Sequence, residues 1–316
     1  MKALLYDKYG GPEVMYWGDR PDPVPGAGQV TVRVEAASIN PVDMKVRQGA
    51  MRIITGGRMP RGMGCDVAGR VERIGAGVTG MKPGDAVFGY AGFKASNTFA
   101  ELALLPADLV VHKPDAIPFA EAACLPQAGV AALRALREKA DLKAGQQVLV
   151  VGCTGGVGQF VVMVAKALGA RVWGVCGGDQ SSAARALGCD AVIDHRKQDL
   201  ATLDARFHVV FDTPGALGFA KAAKPLLPRG HFLDLNAKPQ AMLTAWAANA
   251  LRARKHHPLI TKVRREDLQA LARLAADGKL RPLIGRTAPL HEGPAVIAAM
   301  ERRERTVGKT VLVGKV

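Results

Sequence analysis

The sequence predicts an α/β protein in which a β-rich region precedes a doubly wound parallel sheet. Three observations point there. Strands and helices alternate from residue 146 to 236. Before residue 118 the chain instead offers short Val- and Leu-rich segments divided by Gly and Pro. Near the middle, "VLVVGCTGGVGQFVVMVAKALGA" places a glycine-rich turn between a strand and a helix.

Taken in order, "KALLYDKYG", "QVTVRVEAASIN", "DVAGRVERIG", "DAVFGY" and "FAELALLP" read as strands. The breakers "GGPEV", "PDPVPGAGQ" and "GAGVTGMKPGD" separate them, as in a small barrel or sandwich. "PFAEAACLPQAGVAALRALREKA" has apolar residues at helical spacing and stops before "LKAGQQ". "QQVLVVG", "RVWGVC", "AVID", "FHVVFDTPG" and "GHFLDLN" are then strands, with "GQFVVMVAKALGA" and "SSAARALG" as helices among them. Such alternation makes a parallel sheet covered on both faces. Residues 239 to 282 read as mostly helical, with Leu268, Leu271 and Leu274 on one face and Gly278 at the helix end. "GKTVLVGKV" closes the chain as a strand.

Composition narrows the function classes. Of 316 residues, 48% are hydrophobic and 22% charged, the balance of a packed globular protein. No run of about eighteen apolar residues occurs, so no membrane span is expected. "MKALLYDKYGG" lacks the apolar region of a secretory leader, and cytoplasmic residence is expected. Five cysteines, an odd number without a CxxC pair, read as reduced thiols. The net charge of +15 raises the question of nucleic acid, but the basic residues are dispersed. "LRARKHHP" has no stacking aromatics, so nucleic-acid binding is not expected.

The turn "CTGGVG" has the order that a dinucleotide requires. A pyrophosphate needs backbone N–H groups at a helix N-terminus with no side chains in the way. Gly155, Gly156 and Gly158 supply that absence, and Thr154 and Val157 complete the turn. The strict GxGxxG fingerprint fails at its first position, where Cys153 stands and Gly152 precedes it. Tight packing of strand on helix is the alternative use of these glycines.

The chain resembles the medium-chain dehydrogenase/reductases, in their zinc-free quinone oxidoreductase and enoyl (enone) reductase branch. The resemblance rests on "AASINPVDMKVRQG", "GCDVAGRVERIGAGVTGMKPGDAVFG", "FAELALLPADLVVHKP", "LPQAGVAALRAL", the glycine turn, "LGCDAVIDH", "VVFDTPG" and "VGKTVLV", in that order. It implies a Rossmann domain at 119–262 inserted into a GroES-like β-rich catalytic domain. The latter would comprise residues 1–118, completed by about 263–316, with the active site in the cleft and a homodimer as the assembly. Where zinc-dependent relatives have "GHE" this chain has "GCD", so Cys65 takes the place of the His and Asp66 that of the Glu. Their first Cys falls near Asn40, without a thiol. No metal is therefore expected, and Cys65 reads as a small buried residue.

Cofactor choice turns on "VCGGDQSS". NAD-selective sites put a carboxylate on the ribose 2′-OH at this strand end. Cys176 and Gly177 leave room for a 2′-phosphate instead, with Ser181 and Ser182 able to bond it. His195 stands where relatives carry a Tyr near the adenosine, or is simply an exposed strand-end residue; Arg196 and Lys197 follow it. NADPH is the expected cofactor, NADH the second choice. Asp179 and Gln180 stand where such relatives often have Lys or Arg.

Without a metal, the expected acceptor is a small electrophile: a C=C bond conjugated to a carbonyl, or a quinone. A donor aimed at the carbonyl oxygen would stabilise the charge that hydride transfer creates. Asn40 and Lys45 in "INPVDMKVRQG" are the candidate catalytic residues, Asn40 through its amide and Lys45 as polarising cation, ribose ligand or proton donor. Asp43 suits the cap of the next helix, and Arg47 suits an ion pair. Thr213, Leu235 and Asn236 lie at predicted strand ends, where ligands bind in such sheets. Relatives supply a Thr from "LPxxGLTA" where this chain has Ala131, so that contact is either lost or moved to Gln127. His112, His208 and His231 show no partner in the sequence. A quinone-only reductase and a non-catalytic NADPH-binding protein, structural or RNA-binding, are the alternatives.

Overall fold

The computed structural model describes residues 1–316 apart from 238, 303, 305, 315 and 316. The chain divides into two compact units, Met1–Gln127 with Val263–Val316, and Ala128–Lys262.

The long strand Gln29–Ser38 organises the first unit. One edge pairs antiparallel with Asp66–Ile74. The other edge takes two partners, Leu102–Pro106 along its first half and Lys309–Val313 along its second. Ala86–Tyr90 and Val110–His112 extend the sheet one way, and Ile284–Pro289, parallel to Lys309–Val313, the other. Residues from near the end of the chain are thus hydrogen-bonded into the middle of this sheet. Val30, Val32, Val34, Val67, Val71 and Leu105 are all buried in one apolar cluster. Gly69 has no substitute here: a Cβ would lie 2.0 Å from the Arg33 carbonyl oxygen. A small sheet of Met15–Asp19, Lys2–Tyr6 and Arg61–Gly62 completes the unit.

Residues 119–127, beyond the expected boundary at 118, fall in the first unit. The short helix Phe119–Ala122 packs on Gln29–Ser38 and Asp66–Ile74. Phe119 lies under the Arg70 guanidinium and the Lys113 ammonium at 5.4 and 5.1 Å.

The second unit is a six-stranded parallel sheet. Its order is Ala191–Asp194, Arg171–Cys176, Gln147–Val151, Phe207–Asp212, Leu226–Asp234, Lys255–Pro258. Numbered along this unit, that is 3-2-1-4-5-6, the dinucleotide-binding order, with its reversal between the first and fourth strands. The helix Gly158–Ala167 buries Phe160, Val161, Val162 and Val164 against the first two strands. It is apolar nearly all round, as expected of a helix with protein on several sides.

One element departs from the sequence reading. Residues 239 to 282 contain not only the helices Pro239–Leu251 and Arg265–Ala276 but also the sixth strand, Lys255–Pro258. "KHHP" lacks β-branched residues and carries no strand signal. Tertiary pairing with Leu226–Asp234 makes it a strand, with Phe232 opposite His256 and Leu233 opposite His257.

Candidate functional site

The glycine turn leaves the carboxyl end of the first strand. Gly152 has φ +74°, a left-handed conformation, and its N–H bonds Val175 O at 2.9 Å. A Cβ on Gly152 would lie 2.7 Å from Thr213 Oγ1. On Gly158 it would lie 2.0 Å from Gly152 O, so this glycine lets the helix start against the strand end. Gly155 differs: its Cβ would meet only Gly152 O, at 3.3 Å. The half-buried Gly155, Gly156 and Val157 therefore line an unobstructed stretch. The Gly156 and Val157 N–H groups make no backbone–backbone hydrogen bond among the described residues. Packing thus accounts for Gly152 and Gly158, and it leaves a bare cradle at the N-terminus of a ten-residue helix. The cradle fits a pyrophosphate.

Thr213 lies against this turn, and Asn236 lies against Thr213. The Thr213 hydroxyl donates to Val151 O at 2.8 Å, and Asn236 Nδ2 donates to Thr213 O at 2.7 Å. Leu235 bonds Asp212 O through its N–H at 3.1 Å and is half-buried. The Asp212 carboxylate accepts the N–H groups of Gly215, Ala216 and Leu217 at 3.0, 3.2 and 2.6 Å, which shapes the loop after Thr213. Thr154 is buried, and its hydroxyl donates to Gln180 Oε1. Gln180 thus ties the first and second strand ends together, where the sequence reading finds only a missing cation.

At the second strand end, Cys176 is buried and its sulfur turns inward to Cys153 and Cys189. Burial pushes its thiol up. What Cys176 brings to a ligand is the absence of a carboxylate rather than a contact. A Cβ on Gly177 would come 2.5 Å from Arg196 Nη2 and 2.6 Å from Asp179 Oδ1. Those two side chains are ion-paired at 2.8 Å, both well exposed. His195 is exposed, and its N–H reaches Cys176 O at 3.2 Å. Ser181 opens the short helix Ser181–Ala186, half-buried, and Ser182 beside it is exposed.

In the first unit, the sequence reading sets the Asn40 amide against a ligand, and the structure turns it inward. Asn40 is 3% exposed. Its Oδ1 accepts from Lys309 Nζ at 2.6 Å, and its Nδ2 donates to Asp66 Oδ2 at 2.9 Å. Lys309 also reaches Ile39 O, and Asp66 accepts from Ser38 Oγ and from Gln127 N. Asp43 Oδ2 accepts the Asn40 N–H at 2.8 Å, capping the helix Pro41–Arg47. Asp43 and Asp66 are fully buried, and burial pushes them up to about 7 and about 6. Burial and these two carboxyls hold the Cys65 thiol well above its usual range. Arg47, wholly buried, pairs with Glu301 Oε1 at 2.5 Å. Lys45 lies on the exposed face of the same helix.

This network does not suit a metal. Among the described residues no three His, Cys, Asp or Glu side chains gather to hold one. The cation beside Asn40 and Asp66 is the Lys309 ammonium. Lys309 was visible in "VGKTVLV", but nothing in the sequence joins it to Asn40. Among the described residues Gln127 Oε1 is buried without a hydrogen-bond partner, and Ala131 is buried. Three histidines that show no partner in the sequence have one in the fold: His112 bonds Gly80 O, His208 Nδ1 accepts from Gln147 N, and His231 stacks on His257.

Two family profiles match the chain. One described as an alcohol dehydrogenase GroES-like domain covers residues 26–115, and one described as a zinc-binding dehydrogenase covers 187–312. A chloroplast envelope quinone oxidoreductase homolog of Arabidopsis thaliana is 32% identical, over 92% of this chain and 92% of that protein. An NADPH-dependent alkenal/one oxidoreductase, chloroplastic, from the same plant is 34% identical over 73% of this chain and 61% of its own length. Among solved structures, the quinone oxidoreductase of Coxiella burnetii superimposes with a TM-score of 0.89 at 30% identity, covering 100% of this chain and 99% of that one.

Proposed function

Because the chain belongs to the quinone oxidoreductase branch of the medium-chain dehydrogenase/reductases, oxidoreductases that use a nicotinamide cofactor, we propose that it is an NADPH-dependent reductase. It delivers hydride to the activated C=C bond of α,β-unsaturated carbonyl compounds, or to quinones, without a metal. The observation that carries this reading is the bare cradle Gly155–Val157 at the reversal point of a 3-2-1-4-5-6 parallel sheet.

When bound, the nicotinamide supplies the hydride. The chain supplies binding and charge. Gly155, Gly156, Val157 and Gly158 hold the pyrophosphate, and Thr154 fixes the turn through Gln180. Arg196, held over Gly177 by Asp179, meets the 2′-phosphate, with Ser181, Ser182 and His195 along the same edge. Thr213, Leu235 and Asn236 border the cofactor at the ends of the fourth and fifth strands. Lys45 offers its ammonium to the carbonyl oxygen on which charge develops. Asn40 acts as a positioning residue, fixing the start of the Lys45 helix. The five cysteines are all free thiols, in keeping with a reducing compartment such as the cytoplasm. A homodimer is the proposed assembly.

The decisive assay follows NADPH oxidation with enones, 2-haloacrylates and quinones. Turnover of enones supports the full proposal. Turnover of quinones alone favours the second reading, a quinone-only reductase, to which the names of the Arabidopsis and Coxiella relatives lend weight. NADPH binding with no turnover would leave a non-catalytic binding protein.

A further inference from the structure

A recess of about 440 Å³ lies in the first unit, lined by none of the candidate site residues. Arg20, Arg58, Arg61 and Lys94 line it, and no acidic residue does. Arg61 is buried, at 8% exposure. Its Nε meets Tyr6 Oη at 3.2 Å, its Nη1 meets Thr55 O at 2.6 Å, and its Nη2 meets the Phe93 and Lys94 carbonyls at 3.4 and 3.1 Å. Every partner is neutral. The guanidinium is hydrogen-bonded, yet among the described residues no carboxylate balances its charge.

The neighbours add to that charge. A Cβ on Gly62 would come 3.1 Å from Arg20 Nη1, so the glycine admits the half-buried Arg20 to the same recess. Arg58 and Lys94 are exposed. Among the described residues neither they nor Arg20 make an ion pair. A buried cation without a counter-ion is costly, and the cheapest relief is an anion from solution. Guanidinium forks match oxyanions in bidentate fashion. Four cations exceed what one carboxylate neutralises and suit a group bearing two or more charges. The volume falls within the range of small-molecule sites.

We propose that this recess binds a phosphate- or pyrophosphate-bearing small molecule, at a site distinct in its residues from the glycine turn. Isothermal titration of the full chain with pyrophosphate tests it, with malonate as the dicarboxylate comparator. The wild type should bind pyrophosphate at least about tenfold more tightly than malonate, and the exposed-residue double variant Arg58→Ala/Lys94→Ala should lose about tenfold or more. Gly156→Asp, which closes the glycine turn, should leave pyrophosphate binding in place. Four outcomes overturn the proposal: no pyrophosphate binding by the wild type, malonate binding as tight, a double variant that binds like wild type, or binding that disappears with Gly156→Asp alone.

Discussion

Lys309 Nζ lies 2.6 Å from Asn40 Oδ1, and both residues are buried at 3% exposure. The amide relays between this ammonium and the Asp66 carboxyl. Buried charges of this kind are strongly destabilising when one member is removed alone. Lys309→Met should therefore lower unfolding free energy by about 3–5 kcal/mol in urea titrations. Adding Asp66→Asn should recover part of that loss, because the second change removes the stranded acid. Strictly additive losses would show that the two groups do not communicate.

Asp43 predicts a pH dependence. Its folded pKa, about 7, lies above the ordinary 3.8 because burial disfavours the charged form. The folded state then holds a proton that the unfolded chain has released. Stability from this group is full below the ordinary value and falls as pH rises through about 7. Asp66, raised to about 6, adds a fall of the same sign. Asp43→Asn keeps an acceptor for the Asn40 N–H but cannot ionise. Its melting temperature should drop less between about pH 5 and pH 8 than that of the wild type. Parallel curves in calorimetry would assign the wild-type slope to other groups.

The two roles of glycine in the turn are separable. Gly158→Ala forces a methyl to within 2.0 Å of a backbone carbonyl and should cost about 1–3 kcal/mol of stability. Gly155→Ala meets one atom at 3.3 Å and should change stability by less than about 0.5 kcal/mol. It should nevertheless weaken NADPH in a fluorescence titration, because its methyl stands in the cradle. Undiminished NADPH affinity in Gly155→Ala would mean that the glycines serve packing alone.

Arg196 sets the expected cofactor preference. Its guanidinium, oriented by Asp179, is the cation placed over Gly177. Arg196→Ala should reduce NADPH affinity about tenfold and leave NADH affinity unchanged. Equal losses for both cofactors would place its role elsewhere than the 2′-phosphate.

Lys45→Met should lower kcat/KM toward the best acceptor by about tenfold or more, ~1.4 kcal/mol of transition-state stabilisation. NADPH binding should change little if the ammonium serves the acceptor; a loss confined to NADPH affinity would make Lys45 a ribose ligand.

Local signals made much of the second unit readable. Five of its six strands carry short apolar runs, richest in Val at Gln147–Val151, Arg171–Cys176 and Phe207–Asp212, and the turn sits where strand gives way to helix. The sixth, Lys255–Pro258, has no such run; only the neighbouring strand makes it one. The polar network of the first unit was beyond reach for a related reason. Asn40 and Lys309 are 269 positions apart, and no periodicity links them. Side-chain direction was equally hidden at Cys176, whose sulfur faces inward although its backbone sits at a strand end. Asp43 and Arg47 were easier, since a helix cap and an ion pair are set by spacing and charge.

Lys309–Val313 joins the long strand Gln29–Ser38, so the order of synthesis differs from the order of completion. A ribosome releases residues 128–262 with every strand of their sheet already made. The unit begun first must wait, one flank of its long strand half unpaired, until the segment bearing Lys309 has emerged. Until then Asp43 and Asp66 lack the ammonium they are later buried with, and a nascent chain stalled short of that lysine would keep an open, sticky strand edge for chaperones to cover.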